Sequence, residues 1–405
     1  MDKIRELKIP GDKSISHRAI MLSALGRTRV LVENILLSED ILMTINCFRD
    51  MGVKIEIDEE KNQALVYGVG LYGLKEPARP LYCGNSGTTM RLMAGILVNQ
   101  KFDSILTGDE SLNRRPMDRI IRPLRQMGAG ISSKSGIGAP LYIEGNRKLH
   151  SIDYEMEIDS AQVKSAILLA SLYQEEDSIV REKNKSRDHT ERMITYFRQR
   201  DFKVQRLVVP GDISSAAYFI VDGLINKREG LLIRQLGINK TRTGMLELLL
   251  SIGGDIALLN RRLLNNEEVA DLYVEYSKLK AFTIDERLIA RLIDEIPILA
   301  VLAAFIEGES SVSAAGELRV KETDRIRAIC SNLRSFGADI IEYDDGFSIK
   351  GGKKLRPAVV DSFKDHRIYM AFSILAKKIG DGSRVLGGEV SAVSFPGFQE
   401  ELSRL

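Results

Sequence analysis

Two kinds of apolar pattern alternate along the chain, and the alternation recurs six times. Each round opens with an Ala/Leu-rich segment that is apolar on most faces, as in AILLASL, AVLAAF and MAFSILA. A helix apolar all round is buried. A short β-rich stretch follows. A second helix comes next, with apolar residues three to four apart and charges between them, and then further β-rich sequence. The pattern predicts first helices starting near residues 14, 86, 160, 212, 294 and 363. Second helices run through stretches such as EDILMTINCFRDMG, DHTERMITYFRQRD and KETDRIRAICSNLRSFG, while the sixth round closes on a short, Pro-interrupted helix at SFPGFQEELSRL.

A round of two helices and several strands is larger than a solenoid repeat and indicates α/β layers. At 405 residues the chain exceeds one ordinary core, so three rounds in each of two domains are expected. Turn signals place the boundary at Val209-Pro210-Gly211-Asp212, ahead of the fourth round. Ile9-Pro10-Gly11-Asp12 repeats that signal ahead of the first. The pair predicts a two-strand hinge near 10–12 and 209–212. One domain would then comprise 12–210, and the other 1–11 plus 211–405.

Composition adds exclusions. Hydrophobic content of 44% and charged content of 28% are those of a globular protein, and 58 Lys and Arg against 56 Asp and Glu leave a net charge of +2. No global field points to nucleic acid or a membrane. No run is long and apolar enough to span a bilayer, and MDKIRELKIP lacks a signal-peptide core. Cys47, Cys83 and Cys330 are odd in number, far apart and without a CxxC, and His17, His150, His189 and His366 lack ligand spacing. A reducing cytoplasm and no metal or cofactor are expected.

The chemistry gathers at helix starts. Pro10-Gly11-Asp12-Lys13-Ser14-Ile15-Ser16-His17-Arg18 runs from a turn into a helix whose first N–H groups lack internal partners. Ser14 or Ser16 is the expected cap. Lys13, with no acid at i+4, and Arg18 make an anion site there, where the plain alternative is a capped helix with solvated cations. Asn85-Ser86-Gly87-Thr88-Thr89 is a small-residue turn into the next first helix, with Arg91 one turn in. Arg114-Arg115-Pro116 precedes another helix, with Pro expected at its first position. Ser160-Ala161-Gln162 opens the third round, and Lys164 is expected to snorkel. In Ser186-Arg187-Asp188-His189-Thr190, Asp188 or Thr190 is the expected cap.

Acids enter in the second half. Asp294 and Glu295 precede a very apolar helix, either as cap and dipole partners or as an acid or base. In Lys321-Glu322-Thr323-Asp324-Arg325, spacing puts Lys321 and Arg325 on one helix face, with Glu322 and Asp324 pointing elsewhere. Asp365-His366-Arg367 opens the last apolar helix. Lys13, Arg18, Arg91, Arg115, Lys321, Arg325 and Arg367 therefore stand where dipoles favour acids. A polyanionic small ligand held between the domains reconciles this, and two phosphates and a carboxylate suit the number of cations. No Walker A, Rossmann or GxSxG motif occurs.

PGDKSISHR, GNSGTTMR, RRPM, SAQVKSA, SRDHTE, PGDISSAA, NKTRTG, KETDR and DHRI, in this order over the whole chain, resemble the enolpyruvyl transferase family, in the branch that acts on shikimate 3-phosphate. SAQVKSA and RDHTE resemble its more divergent bacterial class. The resemblance implies a two-domain inside-out α/β barrel of six βαβαββ repeats with pseudo-threefold symmetry. It implies transfer of the enolpyruvyl group of phosphoenolpyruvate to the 5-hydroxyl of shikimate 3-phosphate by addition and elimination of phosphate. Lys13, Ser14, Arg18, Ser160, Ala161, Gln162, Ser186, Arg187, Asp294 and Lys321 would then bind shikimate 3-phosphate. Lys13, Gly87, Arg115, Gln162, Arg325 and Arg367 would bind phosphoenolpyruvate. Asp294 would accept the hydroxyl proton, while Glu322 and Lys13 exchange protons with the enolpyruvyl carbon or leaving groups. The partners implied are these two small molecules, without nucleic acid or membrane, on a monomer that closes about them. Ala161 stands where the commoner class has Ser, and Ala392-Val393-Ser394-Phe395-Pro396 lacks the Lys of many relatives.

Two sister chemistries compete. A UDP-N-acetylglucosamine enolpyruvyl transferase would carry Asn after Lys13 and Cys near 108–118, where this chain has Ser14 and GDESLNRRP. An RNA 3′-phosphate cyclase would need a His that takes up AMP, for which His366 is the candidate. A repeat-built binding scaffold without catalysis is the third alternative.

Overall fold

The protein is described from a computed structural model covering residues 5–134, 136–227 and 229–404, apart from the side chain of Val393; the predicted membership of residues 1–4 in the second domain lies outside the described residues. The first round is β1 (Arg5–Lys8), α1 (Lys13–Ala24), β2 (Arg29–Glu33), α2 (Glu39–Asp50), β3 (Ile55–Asp58) and β4 (Gln63–Tyr67). The second is β5 (Leu81–Tyr82), α3 (Gly87–Leu97), β6 (Ser104–Thr107), α4 (Glu110–Arg114), α5 (Asp118–Gln126), β7 (Gly130–Ser133) and β8 (Leu141–Glu144). The third is β9 (Asp153–Glu155), α6 (Ala161–Ser171), β10 (Ile179–Arg181), α7 (His189–Arg198) and β11 (Arg206–Val208). Next come α8 (Ile213–Ile225), β12 (Leu231–Gly237), α9 (Gly244–Ser251), β13 (Asp255–Leu264) and β14 (Glu267–Glu275). The fifth round is β15 (Thr283–Ile284), α10 (Glu286–Leu292), α11 (Ile296–Phe305), β16 (Gly308–Val312), α12 (Arg325–Ser335), β17 (Asp339–Tyr343) and β18 (Gly346–Gly351). The last is β19 (Val359–Asp361), α13 (His366–Ile379), β20 (Arg384–Leu386) and α14 (Phe398–Arg404).

The chain divides into two compact units. The first holds Gly11–Val209 together with Leu264–Glu267, and the second holds the residues up to Pro10, Pro210–Leu263 and those from Glu268 onward. Among the described residues the first unit carries the sheets β11-β2-β4-β3, β5-β6-β8-β7 and β9-β10. The second carries β1-β12-β14-β13, β15-β16-β18-β17 and β19-β20. In each four-stranded sheet the first two strands run parallel and the second and third antiparallel. In β5-β6 and β15-β16 the parallel pair is joined by a helical crossover, through α3 and through α10 and α11.

The third and sixth rounds depart from the uniform repeat. Among the described residues their sheets, β9-β10 and β19-β20, have two strands each, and no antiparallel hairpin follows α7. After α7 the chain instead forms β11, which pairs with β2 of the first round. β1 takes the corresponding place beside β12. Each of these edge strands leads into a Pro-Gly-Asp turn and a buried helix. Gly11 is required there: a Cβ would lie 1.9 Å from the Asn34 carbonyl oxygen.

Each unit has its own core. Every residue from Ile213 to Leu224 in α8 and from Ile296 to Ala304 in α11 is buried, as the all-round apolar pattern requires. Each Ile, Leu or Val so buried stabilises the unit by roughly 1.5–3 kcal/mol. The second helices bury one face only, as α2 does with Ile41, Ile45 and Phe48. No helix among the described residues is long and apolar enough to cross a membrane. Cys47, Cys83 and Cys330 are buried and free.

Candidate active site

In the first unit, the starts of α1, α6 and α7 are tied together by one buried guanidinium. The cap of α1 is Asp12, whose carboxylate accepts the Ile15 N–H at 2.9 Å; neither Ser14 nor Ser16 caps it. Ser16 instead accepts the Leu36 N–H at 3.1 Å. Arg18 is buried and donates to Thr190 Oγ1 at 2.6 Å, Ser165 Oγ at 2.7 Å and the Ser14 carbonyl at 2.8 Å. Burial lowers it to about 10, against the pull of Asp12 and Glu191, so it remains a cation at neutral pH. Lys13 is paired with Asp40 of α2, so the expectation of an uncompensated ammonium is corrected; the partner lies 27 residues away, beyond any helical spacing.

At α6, Ser160 caps through Val163 N–H at 3.5 Å, and Ala161 and Gln162 form the first turn. Lys164 does not snorkel. It is buried, with Nζ 2.8 Å from both Glu182 and Glu191. Glu182 in turn accepts the Ser186 hydroxyl at 2.6 Å and its N–H at 3.0 Å. Ser186 and the adjoining Arg187 are thus carried on a loop pinned to α6. Asp188 occupies the cap position of α7 without capping through its side chain, and pairs instead with Arg192 at 2.9 Å; Thr190 lies inside the helix.

A second cluster in this unit gathers predicted phosphoenolpyruvate residues. Ser86 caps α3, and Gly87 is its first residue. A Cβ on Gly87 would lie 2.8 Å from one terminal nitrogen of Arg91 and 3.6 Å from one of Arg115. Arg91 donates to Gln162 Oε1 at 2.6 Å and to the Pro116 carbonyl at 3.1 Å. Gln162 Nε2 donates to Thr88 at 3.0 Å, and Arg115 to Asn85 at 2.5 Å. Burial, with Arg115 and Arg119 nearby, lowers Arg91 to about 10. Crowding cations around a glycine at a helix N-terminus makes an anion receptor. Pro116 is not at a helix start as expected, since α5 begins two residues later at Asp118.

The second unit holds a separate, mixed cluster. Asp294 lies in a 3-10 turn ahead of α11, 3.6 Å from Arg325 and 3.6 Å from Arg367. Arg325, fully buried, donates to Asp365 at 2.8 Å and to Glu322 at 2.6 Å. Glu322 therefore does compensate Arg325, contrary to the expected orientation. Asp324 caps α12 and also binds Arg319 at 2.7 Å. Lys321 shares no helix face with Arg325: it follows a 3-10 turn outside α12, 3.8 Å from Glu317. Burial would lower Arg367, but Asp294, Tyr218 and Glu295 more than offset it and hold the group charged. Glu295 is pushed up by burial and then by Asp294, and it accepts the Ser214 hydroxyl, which accepts from Arg242 at 2.6 Å. Asp294 thus stands between two guanidiniums, and its backbone carbonyl also accepts from Arg367 at 3.3 Å.

Asp40, Glu182 and Glu191 escaped sequence reasoning because they pair across distant segments, whereas Asp365 was read as opening the last apolar helix but not as the partner of Arg325.

Comparison with known proteins places this geometry. The enolpyruvyl transferase NikO of Streptomyces tendae has a similar fold, with a TM-score of 0.74 over 99% of this chain and 94% of its own, at 13% identity. That likeness is of the fold alone. The family model of EPSP synthase (3-phosphoshikimate 1-carboxyvinyltransferase) matches residues 4–402. The 3-phosphoshikimate 1-carboxyvinyltransferase of Synechocystis is 48% identical over 97% of this chain and 91% of its own length. That of Syntrophomonas wolfei is 47% identical over 99% and 96%. A solved EPSP synthase from Acinetobacter baumannii superposes with a TM-score of 0.89 at 41% identity, covering 100% of this chain and 96% of that one. The chain belongs to the EPSP synthase family.

Proposed function

We propose that the protein transfers the enolpyruvyl group of phosphoenolpyruvate to the 5-hydroxyl of shikimate 3-phosphate, releasing phosphate. The observation that carries this reading is the Gly87, Arg91, Arg115 and Gln162 cluster within a chain of this family. Phosphoenolpyruvate binds there, with Lys13, Arg325 and Arg367 as its other cationic partners. Shikimate 3-phosphate is held by Lys13, Ser14, Arg18, Ser160, Gln162, Ser186 and Arg187, and by Asp294 and Lys321. Ala161 offers no hydroxyl, and Arg187 stands in for the donor it lacks.

The reaction needs a proton at the enol carbon, a base for the attacking hydroxyl, and anion partners for the departing phosphate. Asp294 takes the 5-hydroxyl proton as the C–O bond forms. Glu322 and Lys13 exchange the proton at the enolpyruvyl carbon. That proton is lost again when the tetrahedral adduct breaks its bond to phosphate. Arg367 and Lys13 receive the phosphate in place of the missing C-terminal Lys. The two Pro-Gly-Asp crossings serve as the hinge, and the protein is a monomer of the cytoplasm.

Phosphate release from phosphoenolpyruvate, measured with each acceptor in turn, tests the reading. Release with shikimate 3-phosphate and none with UDP-N-acetylglucosamine is expected. The converse result, or no release, overturns it.

A further inference from the structure

His17 is fully buried in α1, between Lys13 and Arg18 in sequence, yet it belongs to none of the contacts described above. Its Nδ1 lies 2.8 Å from Thr44 Oγ1 on α2. Thr44 Oγ1 lies 2.7 Å from Thr89 Oγ1 on α3, and Thr89 Oγ1 donates to Ser86 Oγ at 2.8 Å. Ser86 is the cap of α3 and also accepts the Thr89 N–H at 3.1 Å. A continuous chain of side-chain hydrogen bonds thus runs from α1 through α2 to the residue before Gly87.

Each hydroxyl has one proton, which sets the direction of the chain. The Asp40 carbonyl is a second acceptor, but it lies farther off, 3.3 Å from Thr89 Oγ1 and 3.5 Å from Thr44 Oγ1; with each proton on its shorter contact, Thr89 donates to Ser86, Thr44 to Thr89, and His17 Nδ1–H to Thr44. His17 Nε2 is then the bare acceptor nitrogen, and it is buried with no hydrogen-bond partner among the described residues. Leaving a lone pair unmatched costs less than leaving an N–H unmatched, so the arrangement is self-consistent. Burial holds the imidazole far down, at about 3, so it is a neutral donor at any working pH. Buried hydrogen-bonded chains of this kind polarise along their length and fix one geometry.

We propose that His17 is a positioning residue: through Thr44 and Thr89 its Nδ1–H orders the Ser86 cap, and with it the Gly87 turn that receives phosphoenolpyruvate. The kinetic consequence rests on the enolpyruvyl-transfer reading; the structural consequence does not. Only Nδ1 is used, which makes the proposal specific. In H17N the side-chain amide nitrogen falls where Nδ1 lies, so donation to Thr44 survives. In H17Q the amide sits one carbon further out, and H17L donates nothing. T44V breaks the same chain from another helix and covers the case in which H17L fails to fold.

The test combines amide hydrogen exchange on the substrate-free protein with steady-state kinetics for both substrates. In H17Q, H17L and T44V the Thr89 and Met90 amides, at the first turn of α3, should exchange about fivefold faster than in the unsubstituted protein, the effect of losing one capping interaction. The KM for phosphoenolpyruvate should rise about three- to tenfold, with that for shikimate 3-phosphate unchanged. H17N should match the unsubstituted protein in both. The proposal is overturned if H17N is as impaired as H17L, if α3 exchange does not change, or if both KM values rise together. Faster exchange in a protein that never turned over phosphoenolpyruvate would uphold the positioning role and refute the activity instead.

Discussion

Replacing Gly87 with Ala tests the steric fit of its cluster together with the cluster's receptor role. Gly87 opens α3 in helical backbone, so Ala costs no strain and adds up to about 1 kcal/mol of helix propensity. The new Cβ would lie 2.8 Å from an Arg91 terminal nitrogen, where ordinary contact begins at 3.4 Å. The guanidinium must retreat by 3.4 − 2.8 = 0.6 Å. It has little room to do so while it holds Gln162 at 2.6 Å and the Pro116 carbonyl at 3.1 Å. Losing one hydrogen bond to a charged group costs about 1.5–3 kcal/mol. The KM for phosphoenolpyruvate should therefore rise about tenfold or more. That bond belongs to the folded protein, and its loss outweighs the gain of at most about 1 kcal/mol in propensity, so the midpoint of thermal unfolding should fall by a few degrees. Initial rates at varied phosphoenolpyruvate, with a thermal melt on the same preparation, make the assay. An unchanged KM would refute the receptor role of the Gly87–Arg91–Arg115 cluster, and an unchanged or higher melting temperature would refute the steric argument.

Three further outcomes follow from the same contacts. Lys13→Ala should cut turnover more than about a hundredfold, the scale of a lost proton-transfer group, while its partly exposed pair with Asp40 is worth no more than about 1 kcal/mol of stability; unfolding as deep as the kinetic loss would make Lys13 structural. Arg325→Met should destabilise the second unit by about 3–5 kcal/mol in a denaturant titration, because Asp365, which is fully buried, loses its ion partner; a loss below about 1 kcal/mol would show that the Arg367 and Ile368 N–H groups, which Asp365 accepts at 2.8 and 3.2 Å as the cap of α13, suffice for it. His17 is held neutral in the folded state down to about 3 by burial, with Lys13 and Arg18 adding to this and Asp40 and Asp12 opposing it. The unfolded chain takes up this proton below about 6.5, so the contribution is fully present above that pH and is lost as pH falls, by up to about 1.4 kcal/mol per unit. Denaturant midpoints between pH 7 and 4.5 should fall more steeply in the unsubstituted protein than in H17N, and equal slopes would contradict the burial argument.

Much of the architecture was legible because its signals are local. The all-round apolar segments that became α6, α8, α11 and α13 could only be buried helices, and their starts fall within about three residues of the pattern's prediction. The six-fold alternation survives as paired first and second helices. It does not survive as six equal sheets, since hydrophobic periodicity cannot say which sheet a strand joins. β11 and β1 read like strands of the third and first rounds, yet they pair with β2 and β12. The site shows the same division. Cationic residues at helix starts were visible, and Gly87, Arg115 and Gln162 do lie beside Arg91. Their compensation was not visible. Lys13 pairs with Asp40, Lys164 with Glu182 and Glu191, and Arg325 with Asp365, across 18 to 40 residues. Reasoning from i,i+4 spacing sees none of these pairs. It also placed Lys321 and Arg325 on a helix that begins only at Arg325. Asp12 was overlooked as the α1 cap because two serines followed it.

Phosphorus NMR of the protein with phosphoenolpyruvate and shikimate 3-phosphate together, and with each alone, reads directly whether this chain joins the enolpyruvyl group to shikimate 3-phosphate. Phosphoenolpyruvate should disappear only in the mixture, with inorganic phosphate and a new phosphorylated enol ether growing in equal amounts. Phosphate released without shikimate 3-phosphate, or a mixture left unchanged, would show that the protein does not catalyse this transfer.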